Sequence, residues 1–240
     1  MSESNLFDVS CFHPFSIAID GPSGAGKSSI SDIVASRLHI LHLDTGAMYR
    51  AMGLACLNDK VDIGDEKSVI DYINQKGFNI RIQFDGEKQY TYLNGLNVSE
   101  DIRKQEIGFA ASTVSKYSIV RSGMLSLQRQ YARSQSVLLD GRDIGTVVLP
   151  DADVKIYLTA SDTVRAFRRQ CQLKRYGYKR DYFEILSEIR LRDQQDITRE
   201  IAPLKQAEDA ILVDSSEMTF DETAELVLSI IFDKLVEKKV

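Results

Sequence analysis

An α/β fold, built on a parallel five-stranded sheet with helices on both faces, is what the sequence predicts, and three observations predict it. Short apolar runs end repeatedly at a polar turn; helical spacing follows most of them; and a glycine-rich loop separates the first run from the first helix. Strands that alternate with helices lie parallel in one sheet, because each crossover returns over a face.

Each element has its own warrant. Ser16–Asp20 reads as a short buried strand, and from Lys27 the apolar positions Ile30, Ile33, Val34 and Leu38 fall at helical spacing. "HILHLD" forms a second strand ending at Asp44, and "TGAMYRAMGLACL" resumes a helical pattern. Between residues 58 and 104 the pattern changes. "FNIRIQFDGEKQYTYLNGLNV" alternates apolar and polar residues, with Asp85-Gly86 and Asn94-Gly95 at hairpin turns, and predicts a three-stranded antiparallel insert. One helical stretch is expected from about Ile107 to Arg133. "SVLLD", "DVKIYLTAS" and "AILVDSS" supply the remaining strands, and Phe220–Leu235 closes the fold as an amphipathic helix carrying Ala224, Val227, Leu228 and Ile231. The expected organisation is a polar lead at 1–14, a core of 15–57, 105–161 and 201–240, an insert at 58–104, and a helical lid at 162–200.

Composition narrows the function classes. At 240 residues the chain suits one domain, or a core with inserted subdomains. Its 43% hydrophobic and 27% charged residues are ordinary for a globular protein. No stretch approaches the roughly 18 apolar residues of a membrane helix, and the N-terminus lacks the basic region and apolar run of a secretion signal. Cys11, Cys56 and Cys171 are odd in number and far apart, which suggests neither a metal cluster nor a disulfide framework and fits a reducing cytoplasm. A net charge of −5 argues against general nucleic-acid binding. Yet seven basic residues and no acidic one lie between Arg165 and Arg180. That run is either a solvated helix face or a patch for a particular anion.

Four constellations carry chemistry. "GPSGAGKS", Gly21 to Ser28, matches G-x-x-x-x-G-K-[ST] between a strand and a helix, the setting in which backbone N–H groups converge on phosphate oxygens at a helix N-terminus. Gly21, Pro22, Ser23, Gly24, Ala25 and Gly26 would wrap the phosphates, with Ser29 adjoining. Lys27 would reach the β- and γ-phosphates, and Ser28 would offer its hydroxyl to Mg²⁺. In "LDTGAMYR", Thr45, Tyr49 and Arg50 form a plausible cradle for a second phosphate; the alternative is a half-buried aromatic beside a surface charge. In "LLDGRDIG", Asp140, Arg142 and Asp143 follow an apolar strand at the ligand edge of the sheet. Either they pair among themselves, or Asp140 stands near the metal's water shell while Arg142 and Asp143 face a substrate. In "EIRLRDQQDITRE", Arg192, Asp196 and Arg199 sit at i, i+4 and i+7, on one face of a helix bounded by Pro203. They make either a self-satisfied surface network or the inner face of a lid over phosphates and a ribose.

Together, "IDGPSGAGKSS", "LDTGAMYR", "DGRDIGTVVLPDADVKIYLTAS" and "IRLRDQQDITREIAPLKQAEDAILVDSS" resemble bacterial cytidylate kinases in their long form, over about Phe15 to Leu235. "DGRDIGTVV" and the Arg-Asp-x-x-Asp-x-x-Arg spacing are far more specific than the phosphate loop. The resemblance implies a P-loop three-layer fold whose antiparallel insert serves the monophosphate. It implies Thr45 and Tyr49 beside the acceptor phosphate, with Arg50 and Arg142 binding it, and Ser112, Arg121 and Asp143 at the cytosine. It also implies Asp196 at the sugar hydroxyls, Arg192 and Arg199 on phosphate or sugar, and Arg103 in support. Ile119 stands where some relatives carry arginine; Thr45 replaces a serine and Ser29 a threonine, and both keep a hydroxyl. The expected enzyme transfers a phosphoryl group in line from Mg·ATP to CMP or dCMP, as a cytoplasmic monomer without nucleic-acid or membrane partners. Lys27, Arg142, Arg192 and Arg199 would neutralise the transferring group. The acceptor phosphate is already an anionic nucleophile, so no general base is needed. Two competitors stand beside this expectation. A UMP or AMP kinase would share the loop, lid and arginines. The other is a non-catalytic nucleotide-dependent switch or scaffold; a GTPase switch would be expected to carry an Asn-Lys-x-Asp guanine signature, which does not occur.

Overall fold

The computed structural model describes residues 9–238 other than 13, 78, 87, 134 and 176. Most of the expected polar lead at 1–14 lies outside the described residues. The chain divides into two compact units, Met1–Leu41 with Gln135–Val240, and His42–Ser134.

The first unit carries β1 (Ser16–Asp20), α1 (Lys27–Leu38), β6 (Val137–Gly141), β7 (Val154–Thr159), α6 (Asp162–Arg175), α7 (Tyr182–Thr198), β8 (Ile211–Asp214) and α8 (Phe220–Glu237). With β2 (Leu41–Asp44) at one edge, the five strands run in the order β2-β6-β1-β7-β8. The pairs β1–β6, β1–β7 and β7–β8 are parallel. These strands are short and almost wholly apolar because both faces are covered. Ile17, Ile19, Leu138, Val154, Ile156 and Leu158 meet Ile30, Val34 and Leu38 of α1 and Val227, Leu228 and Ile231 of α8 in one buried core. Register places Asp20 opposite Gly141 and Ile19 opposite Asp140, so β1 and β6 end side by side at the edge where an open α/β sheet binds ligands. A smaller core of Ala166, Ile185, Leu186 and Ile189, flanked by Leu173 and Tyr182, holds α6 and α7 together as a helical hairpin.

The second unit contains α2 (Thr45–Asn58), α3 (Glu66–Lys76), β3 (Ile80–Asp85), β4 (Lys88–Leu93), β5 (Leu96–Asn97), α4 (Gln105–Val114) and α5 (Ser118–Ala132). The antiparallel sheet β3-β4-β5 turns at Asn94-Gly95, where both residues have positive φ (51° and 82°), the geometry that a tight two-residue hairpin demands. The α3 helix was not expected, although Asp65 caps it at Ser68 N, Val69 and Ile73 bury at i and i+4, and Gly77 ends it. The single helix expected from Ile107 to Arg133 is two helices. They break at Ser115–Tyr117, where Ser115 Oγ bonds back to Ser112 O and Tyr117 Oη reaches Ile63 O. Short polar side chains that bond the local backbone compete with helix continuation. Among the described residues no helix is long and apolar enough to cross a membrane.

Candidate active site

The phosphate loop begins where β1 stops. Gly21 cannot be replaced there, since a Cβ would lie 1.9 Å from the Leu158 carbonyl oxygen of β7. From Gly21 the chain wraps toward α1, whose first residue is Lys27. Lys27 is buried, and its Nζ donates to Gly21 O and Pro22 O, both at 2.8 Å. Burial, and next the neighbouring Arg142, push its pKa well below the ordinary lysine range, while Asp140, Asp196 and Asp20 pull the other way. A phosphate brought to this nitrogen would favour the charged form and be held by it.

Ser28 Oγ donates to Asp140 Oδ2 at 2.8 Å. This hydroxyl and carboxylate, the latter at the end of β6, are hard oxygen donors of the kind magnesium takes. Among the described residues no cluster of three or more His, Cys, Asp or Glu could hold a metal ion. A hydroxyl and a carboxylate are a donor set that fits a cation taking one or two protein oxygens.

The turn after β6 brings two further ion pairs to the same edge. Arg142 Nε donates to Asp196 Oδ2 at 2.8 Å, and Arg199 donates to Asp143 Oδ1 at 3.2 Å. Burial works against the Asp196 charge, but Arg142, with Arg192 and Arg199, outweighs it and holds the carboxyl below its usual range. The expected single helical face is only partly realised. Arg192 and Asp196 lie on α7, whereas Arg199 is the first residue beyond it, in extended conformation (ψ 139°). Its Nε then donates to Ala202 O at 2.6 Å, and Leu204 N to Asp196 O at 2.7 Å, which folds the segment back toward Asp143. The two constellations thus pair across to one another, Arg142 with Asp196 and Arg199 with Asp143.

Three participants were not singled out from sequence. Asp20, buried at the end of β1, accepts from Ile144 N at 2.8 Å and Gly145 N at 2.7 Å. Burial pushes its carboxyl up to about 6, with those two amides pulling it down. Arg165 and Asp193 form a bidentate pair at 3.1 and 2.6 Å, and Arg165 also donates to the carbonyls of Ser23 in the loop and Ala160. No spacing rule links residues so far apart in the chain; an isolated Asp before Gly21 and the basic run that begins at Arg165 are the visible signals.

In the second unit, Asp44 caps α2 at Ala47 N and so fixes the start of the helix that carries Thr45, Tyr49 and Arg50. Gln89 of β4 accepts from Asp44 N at 2.9 Å and braces the same point. Thr45 is buried, Tyr49 is half-buried, and Arg50 lies 3.9 Å from Asp44. The Arg121 guanidinium sits over the Tyr49 ring at 5.7 Å and donates to Ser115 O at 3.3 Å. Ser112 is partly buried on α4, Ile119 partly buried on α5, and Arg103 is exposed in a 3₁₀ turn, Asp101–Arg103.

Residues 17–233 match the family model for cytidylate kinase. The chain belongs to the cytidylate kinase family. Among its relatives, a cytidylate kinase of Caldicellulosiruptor bescii is 47% identical over 224 residues, covering 93% of this chain and 98% of the relative. One of Caldicellulosiruptor saccharolyticus is 45% identical over 216 residues, covering 90% and 95%. An uncharacterized protein from Eubacterium ventriosum shares the fold at a TM-score of 0.50, with 12% identity over 90% of this chain and 98% of that one. Membership in the cytidylate kinase family makes the chain a phosphotransferase.

Proposed function

We propose that this cytidylate kinase family member phosphorylates CMP and dCMP with ATP by direct in-line transfer. The observation that carries the reading is the convergence of Lys27, the Ser28–Asp140 pair, and the Arg142 and Arg199 ion pairs on the edge where β1 and β6 end.

The loop Gly21–Ser29 cradles the ATP phosphates, and Lys27 exchanges its two carbonyl partners for phosphate oxygens. Ser28 and Asp140 would hold Mg²⁺, which when bound neutralises charge on the β- and γ-phosphates. Arg142, Arg192 and Arg199 supply the remaining positive charge around the transferring group; a phosphate is a stronger anion than the carboxylates that now hold Arg142 and Arg199. Aligned approach of two phosphates, rather than proton removal, is the catalytic task. For the acceptor, Arg50 and Arg142 bind the phosphate beside Thr45 and Tyr49. Ser112, Arg121 and Asp143 read the cytosine, Asp196 takes the sugar hydroxyls, and Arg103 supports the site. The 58–104 insert serves the monophosphate, and the 162–200 segment excludes water once both nucleotides are bound.

Asp143 decides the base. Its carboxylate accepts from an exocyclic amino group, which cytosine has and uracil lacks, and a mismatched base leaves polar groups unpaired. A coupled diphosphate assay with Mg·ATP against CMP, dCMP, UMP, AMP and dTMP tests the reading. Turnover is expected with CMP and dCMP, with UMP a poor substrate. Equal use of CMP and UMP would overturn the base assignment, and turnover of AMP or UMP instead would favour a kinase for that acceptor.

A further inference from the structure

The turn after β6 must begin a helix and present a substrate-facing carboxylate from one residue. Asp143 stands at the N-cap of the π-helical turn Ile144–Val148. An aspartate at that position normally accepts from the free amides of its own first turn. Elsewhere in this chain that is what happens: Asp44, Asp65 and Asp181 each cap the helix that follows them. Asp143 does not. Its side chain makes no capping bond, and its Oδ1 accepts instead from Arg199.

The first two amides of the turn are met from a remote strand. Asp20 Oδ1 accepts from Ile144 N and Oδ2 from Gly145 N, so both oxygens of a buried carboxylate serve this one turn. Gly145 permits the approach, since a Cβ there would already stand 3.4 Å from Asp20 Oδ2 and 3.2 Å from the Lys155 side chain. Asp20 also directly precedes Gly21, so the carboxylate that caps the turn is anchored at the root of the phosphate loop.

We propose that Asp20 is a positioning residue for base selection: by capping the Ile144–Val148 turn it keeps Asp143 from doing so and leaves the Asp143 carboxylate directed at the acceptor base. The proposal rests on the reading of Asp143 as the cytosine acceptor, and its test separates the two. Asp20→Asn keeps the volume, removes one acceptor and sets an amide donor against a backbone donor. Asp143 is then drawn to its own turn. The kcat/KM ratio for CMP over UMP is expected to fall about tenfold in Asp20→Asn. The double variant Asp20→Asn/Asp143→Asn should discriminate no worse than Asp143→Asn alone. A lowered melting temperature with an unchanged CMP:UMP ratio, beside an Asp143→Asn enzyme whose ratio has collapsed, makes Asp20 a plain structural brace and overturns the proposal. An unchanged ratio in Asp143→Asn overturns the cytosine reading, and the role of Asp20 with it. Should Asp20→Asn fail to fold, Gly145→Ala crowds the same carboxylate gently and should lower the ratio about threefold; an unchanged ratio there overturns the proposal as well.

Discussion

The phosphate loop and the α6–α7 hairpin both bring cations to one unit, yet they hold them by different means. In the loop, the backbone is the partner: Lys27 lies on the carbonyls of Gly21 and Pro22, six and five residues away. In the hairpin, the partners are side chains and carbonyls drawn from across the fold. Arg165 reaches Asp193 and Ser23, and Arg168 reaches Ser215 and the Met218 carbonyl. The seven-residue basic run is therefore divided. Its first two arginines join the hairpin to its surroundings, while Lys174, Arg175 and Lys179 face solvent. Backbone chemistry needs glycines at set spacing and so shows in sequence, whereas side-chain chemistry between distant residues does not.

The largest effect that would sharpen this contrast is at Lys27. Lys27→Ala removes the one cation that the loop itself contributes, and kcat for CMP should fall on the order of 10²–10³-fold, the scale of losing a preorganised donor at developing charge. Stability should not fall with it. Burial and the neighbouring Arg142 already disfavour the lysine's charge, so unfolding in urea should show a neutral or slightly stabilised variant. A kcat within tenfold of the unmodified enzyme would break the contrast, since the loop would then work without its own cation.

Arg165 should reverse the pattern. Its guanidinium is 5% exposed and its partner Asp193 16%, so Arg165→Met leaves a carboxylate and the Ser23 carbonyl without their donor. Breaking one side of such a buried pair costs about 3–5 kcal/mol. Urea unfolding should show that loss, with the KM for ATP raised because Ser23 belongs to the loop. A loss under about 1 kcal/mol would mean that the hairpin is tied to the loop weakly and moves as a whole.

The same division explains how much was legible beforehand. The five strands, the antiparallel insert with its Asn94-Gly95 turn, and the loop were readable because each depends on local periodicity or local turn geometry. The edge residues Asp140, Arg142 and Asp143 were readable because they follow directly on an apolar strand. Helical counting puts Arg199 on the same face as Arg192 and Asp196, but the chain leaves the helix before it and the arginine returns through Ala202. Asp20 is the clearest omission. Its two amide partners lie 124 and 125 residues away, a relation set by strand register and invisible to any spacing rule. The Arg165–Asp193 tie is hidden for the same reason: its members lie on different helices, 28 residues apart in the chain.

The smallest effect tests where the hairpin's structural part ends. Arg180 donates to Glu188 at 2.7 Å and lies 3.4 Å from Glu184, an exposed pair of acids on the same hairpin. Pairs of that kind are worth between nothing and about 1 kcal/mol, because solvent screens them and two long side chains must be ordered. Arg180→Ala should therefore change unfolding free energy by no more than about 0.5 kcal/mol and leave the KM for ATP within twofold at moderate salt. A larger shift in KM that shrinks as salt is added would show Arg180 exchanging its glutamates for nucleotide phosphates. The outer end of the basic run would then share the function of Arg142 and Arg199, and the boundary between bracing and phosphate-binding arginines would lie beyond Arg168 but short of Arg180.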